Sequence, residues 1–139
     1  MIDLIDDQLL GSVLRSGRSP RGEASFFTTG HFHVRLCQAV LGSSTAAGVL
    51  CAPFATLPGE LHTRAIQLLL DLPEEIGLVS LRELAPVIGK LRVRHDLNIL
   101  GMEALVAAVY LKAGVYLSAP SPRLEEALRR EARSVEILV

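Results

Sequence analysis

Asp6, Asp7 and Glu103 are the residues of this chain whose types and places best suit chemistry. Residues 1–5 form a short aliphatic run that stops at Asp6 and Asp7, so a buried strand delivers two carboxylates at its C-terminal end. Glu103 stands apart. No other acid lies between Asp96 and Glu125, and Ala104, Ala107 and Ala108 follow it closely. A carboxylate among small apolar residues is costly to bury alone, so it is either an anchor with a partner or part of a site. Clustered carboxylates bind hard ions such as Mg²⁺ or Mn²⁺ through oxygen. Such ions activate water and clamp a phosphodiester. His31, His33 and Cys37 offer softer ligands, but no fourth zinc ligand accompanies them.

Whether these acids meet depends on the elements that carry them. Residues 8–15 place Leu9, Leu10, Val13 and Leu14 at helical spacing, with Asp6 or Asp7 as cap. Asp7 is read as that cap or as solvated, and Asp6 as more than a cap. Residues 16–23 are a polar loop, with Arg15, Arg18 and Arg21 in or beside it. Residues 25–28 read as a second strand and residues 31–41 as a helix stopped by Gly42. Residues 43–57 have little pattern. Pro58 suits the first turn of a helix running to Leu70. Residues 76–79 are a short extended piece or a lead-in. Ser80 and Glu83 have capping-box spacing, and Pro86 delays or kinks the helix that follows.

The stretch carrying Glu103 reads as an amphipathic helix over residues 99–113, stopped by Gly114, then a strand over 115–117. Ser121 and Pro122 start a charged helix, with Ser121 as cap. Residues 135–139 read as a last apolar strand. Strands alternating with helices predict an α/β three-layer sandwich with a mainly parallel central sheet, forming a single domain over residues 1–139. In such a sheet sites form at the C-terminal strand ends. That rim collects Asp6, Asp7, Thr29, Ser118 and, from the start of its helix, Glu103.

With 139 residues, half of them hydrophobic, the chain can bury an aliphatic core without staples. Its 14 basic and 15 acidic side chains nearly cancel, which excludes global charge as a driver of nucleic-acid binding but leaves room for local patches. Cys37 and Cys51 fit no CxxC pattern and read as buried free thiols. No apolar run is long enough to span a membrane, and the acidic start is unlike a signal peptide. A cytoplasmic protein is expected. Lys90, Arg92 and Arg94 form a solvated helix face or an RNA-phosphate contact. His95 and Asp96 read as a helix-end His and a turn Asp. The Arg and Glu residues of 123–133 read as ordinary helix ion pairs.

Three segments together resemble the PIN domains, the fold of the VapC-type toxin ribonucleases. They are LIDDQLL, FFTTGHFHVRLCQAVL and LRVRHDLNILGMEALVAAVYLKAGVYLSAPSPRLEEAL. The resemblance puts Asp6 in the first acidic position, Glu103 in the third and Ser118 at the Ser/Thr position after the fourth strand. It implies a PIN-like fold, Mg²⁺ or Mn²⁺ on Asp6 and Glu103, and RNA, an antitoxin-like small protein or a second copy as partners. Residues 46–55 are the apolar stretch that would support a homodimer. The chain departs from the family at Arg35, which falls at the second acid, and at Pro120 or Ser121, which fall at the last. The lost acids favour a catalytically degenerate protein that binds RNA or a protein partner over a metal-dependent ribonuclease. Arg35 is expected to pair with Asp6 or Glu103 in place of an ion, and Glu103 to pair with Arg35 or Arg94 if it is structural.

Overall fold

A computed structural model describes residues 1–16, 25–42 and 48–138. Arg18 and Arg21 of the basic loop, part of the apolar stretch 46–55, and Val139 lie outside the described residues. The elements run β1 (Ile2–Ile5), α1 (Asp7–Ser16), β2 (Ser25–Thr28), α2 (Gly30–Leu41), α3 (Ala52–Ala55), α4 (Gly59–Leu70), β3 (Ile76–Leu78), α5 (Leu81–Leu91), α6 (Ile99–Leu111), β4 (Gly114–Leu117), α7 (Pro122–Arg130) and β5 (Val135–Ile137). The five strands form one all-parallel sheet in the order β3-β2-β1-β4-β5. The expected α/β sandwich is therefore present.

Successive strand residues point to opposite faces, and each face buries its own core. Leu4, Val115 and Leu117 join Leu84, Leu105 and Leu128 from α5, α6 and α7. Ile5, Phe26 and Tyr116 join Leu10, Leu36 and Leu69 from α1, α2 and α4. Across the β2–β3 pair Gly77 lies against Phe27, where a Cβ would run into the ring. A side chain there requires the Phe27 ring to move.

Side-chain caps mark the starts of three of the helices after β2. The Thr29 hydroxyl accepts from Phe32 N at the start of α2, and the Asn98 side chain accepts from Gly101 N at the start of α6. Ser80 caps α5, which continues through Pro86. Four readings need correction. Helix α6 is not amphipathic: residues 102–108 are all buried, because the helix is sandwiched between the sheet and its neighbours. It ends at Lys112, held in the left-handed conformation (φ 54°), while Gly114 opens β4 instead of stopping the helix. Ser121 sits at the N-cap of α7, yet its side chain makes no cap; its backbone N–H instead donates to Glu125 Oε2 at 2.8 Å. Helix α3 falls in the stretch that showed little pattern. No described helix is long and apolar enough to cross a membrane.

Candidate functional site

Parallel pairing of β1 with β4 carries Asp6 and Ser118 to the same end of the sheet. Asp6 is buried and uses both carboxylate oxygens. Oδ1 accepts from Leu9 N at 3.0 Å and so caps α1. Oδ2 accepts from Ser118 N at 2.8 Å and from Ser118 Oγ at 2.6 Å. The side chain therefore ties α1 to the end of β4, as its place at the rim predicts.

Asp7 is neither the cap nor solvated. It is 7% exposed. Oδ1 accepts from the adjacent Gln8 N, while Oδ2 accepts no hydrogen bond. Arg35 Nη1 stands 3.4 Å from Oδ2, an ion pair too loose for a hydrogen bond. Burial pushes the Asp7 carboxyl above its ordinary value, Arg35 pulls it back down, and neighbouring Asp6 adds to the rise. Arg35 thus pairs with Asp7, not with Asp6 or Glu103. The reason is position: Arg35 lies on the second turn of α2, opposite the start of α1, against which α2 packs.

Glu103 is wholly buried, with a different partner from either expected. Its Oε1 accepts from His31 N at 2.9 Å and lies 2.7 Å from His31 Nδ1. Its Oε2 has no partner. The carboxylate therefore sits at the N-terminus of α2, where the helix dipole favours negative charge. Arg94, the other expected partner, instead pairs with Glu131.

Above these residues lies a cleft of about 470 Å³. Asp6, Asp7, Gln8, Arg35, Asn98, Ser118, Ser121 and Arg123 supply its polar and charged groups. Glu103 and Thr29 do not line it. Thr29 is buried as the α2 cap. The rim predicted from topology is thus split. Asp6, Asp7, Arg35, Ser118 and Ser121 meet in the cleft, while Glu103 faces His31 behind it.

Among the described residues no group of three or more His, Cys, Asp or Glu side chains is placed to hold a metal. The two carboxylates that line the cleft share it with the Arg35 guanidinium. Cys37 and Cys51 are free thiols, and burial pushes the Cys37 thiol up.

A second polar cluster, with no signature in the sequence, joins the α5–α6 turn to the end of α7. His95 is buried, and its Nε2 lies 2.7 Å from Glu131 Oε2. Arg94 Nη2 contacts both oxygens of the same carboxylate, at 3.2 and 3.1 Å. The His95 hydrogen bond, with help from Arg94, holds the Glu131 carboxyl below its ordinary value. Within α7 two of the expected helix pairs form, Glu125 with Arg129 and Glu126 with Arg130. Compared with known proteins, the chain matches no family model and no curated sequence.

Proposed function

We propose that the chain is a catalytically degenerate PIN-like protein that uses its cleft to bind RNA or a protein partner without cutting. Arg35 carries this reading. Where the resemblance expects a metal-binding acid there is a guanidinium, and it stands in the cleft beside Asp7. A fixed cation there repels a divalent ion and attracts an anionic or hydrogen-bonding ligand. The apolar side of the cleft, with Phe32, Leu50, Leu97, Leu100 and Leu124, favours a protein segment such as an antitoxin-like small protein or a second copy of the chain.

The test is incubation of single-stranded RNA with the purified chain and Mn²⁺. Cleavage no greater than that of the Asp6→Ala variant is expected. Cleavage that Asp6→Ala abolishes would overturn the proposal. It would establish the second reading, a metal-dependent ribonuclease with Asp6 and Glu103 as the catalytic and metal-binding acids. One observation favours that second reading: Glu103 Oε2 is a buried carboxylate oxygen without a partner, the kind of atom a cation would satisfy.

A further inference from the structure

Beside the main cleft is a second groove, of about 330 Å³, between the α5–α6 turn and α7. Arg94, His95, Asp96, Arg123, Glu126 and Arg130 supply its charged and titratable groups. The two hollows share Leu97 and Arg123, so they adjoin. We propose that this groove is a subsite for a phosphoryl oxyanion, held by Arg123 and the open nitrogen of His95.

His95 has a built environment. Its side chain is 4% exposed. Glu131 holds Nε2, and Glu131 is itself gripped by Arg94. Nδ1 has no hydrogen-bond partner among the described residues, yet it is not among the enclosed polar atoms. It is therefore the nitrogen left for the groove. A carboxylate on one imidazole nitrogen fixes the ring's orientation and leaves the other nitrogen for a ligand. With Glu131 on Nε2, Nδ1 is the ring atom that meets a phosphoryl group.

The charges around the groove leave one guanidinium over. On the loop that carries His95, Asp96 pairs with Arg92. On α7, Glu126 pairs with Arg130, and Glu131 with Arg94. Arg123 is exposed and pairs with no acid among the described residues. A free guanidinium and an imidazole nitrogen lining one groove suit an anion that takes several hydrogen bonds, and a phosphoryl group does so at short distances. The same chemistry is offered by inorganic phosphate, a nucleotide or an RNA backbone, and adjacency to the main cleft lets one ligand reach both hollows.

The experiment follows His95 imidazole and Arg123 guanidinium resonances by NMR. The intact chain is titrated with inorganic phosphate and, separately, with a 5′-hydroxyl oligoribonucleotide. Saturable shifts of both groups with either probe are expected, weakened about 10-fold or more in Arg123→Ala and unchanged in Glu60→Gln, on α4 away from both hollows. Arg123 is exposed, so that variant tests the groove even if His95→Gln fails to fold. Shifts that do not saturate, or that match in Arg123→Ala, overturn the subsite. An oligonucleotide that perturbs Ser118 while neither probe moves His95 also overturns it, and leaves the cleft reading standing. Phosphate that moves His95 while no partner engages the cleft supports the subsite and counts against the cleft reading instead.

Discussion

Asp6 and Glu103 are both buried carboxylates at one edge of the same sheet, and they are held in opposite ways. Asp6 accepts from a helix N-terminus with one oxygen and from Ser118, twice, with the other. It faces an open cleft. Glu103 directs one oxygen at His31 and leaves the other bare in the interior. Asp6 is an architectural joint whose requirements are met. Glu103 is half-satisfied, and its stability depends on one partly exposed histidine. Burial alone therefore does not reveal what an acid does; the count of its donors does.

The largest expected effect is on the satisfied acid. Asp6→Ala removes a helix cap and two charge-assisted bonds, and should cost about 3 kcal/mol in urea unfolding. Ser118→Ala, which spares the backbone donor, should cost about 1 kcal/mol. The half-satisfied acid should behave differently. His31→Ala strands the Glu103 charge with a single donor and should cost roughly 2 kcal/mol. Glu103→Leu removes the charge together with its desolvation penalty and should cost only about 1 kcal/mol. If Glu103→Leu proves as costly as Asp6→Ala, the contrast between the two acids is wrong.

A control away from the rim comes from Glu131. Its folded carboxyl lies below the ordinary value of 4.5. The stability it contributes is present above that value and lost as pH falls through the folded one. Glu131→Gln should therefore flatten the acid limb of the stability profile, and should cost about 1 kcal/mol at neutral pH. A profile as steep as the wild type's would contradict the assignment of that shift to the His95 contact.

The smallest effect has the opposite sign. The folded Asp7 carboxyl lies above its ordinary value of 3.8, so the folded state holds this proton more tightly than the unfolded chain does. Ionised Asp7 thus costs stability at neutral pH. Asp7→Asn should raise stability slightly, by on the order of 0.5 kcal/mol, and the melting temperature with it. The gain should shrink as pH falls toward 3.8. A loss at neutral pH would show that the Arg35 pairing outweighs desolvation.

The residues differ in how far the sequence exposes these roles. The strands, the Ser80 cap, the Gly42 stop and the meeting of Asp6 with Ser118 are legible because they follow from local pattern and parallel topology. The β1–β4 register is enough to bring those two side chains to one end. The partner of Glu103 is not legible. His31 lies 72 residues away in sequence, and its choice over Arg35 depends on how α2 packs against α6. The burial of Asp7 and the His95–Glu131 contact are hidden for the same reason, since each joins segments whose spacing carries no period. The stop at Lys112 is hidden for another: a lysine in the left-handed conformation has no sequence signature, whereas Gly114, two residues on, has a strong one.

The proposal that the cleft binds without cutting rests on the acids serving structure and Arg35 serving as the local cation. Thermal unfolding with millimolar Mn²⁺ tests this most directly. The account predicts a melting temperature that does not move with Mn²⁺ in the wild type, in Asp6→Asn or in Glu103→Gln. A saturable rise of about 4 °C or more in the wild type, lost in both variants, would contradict it.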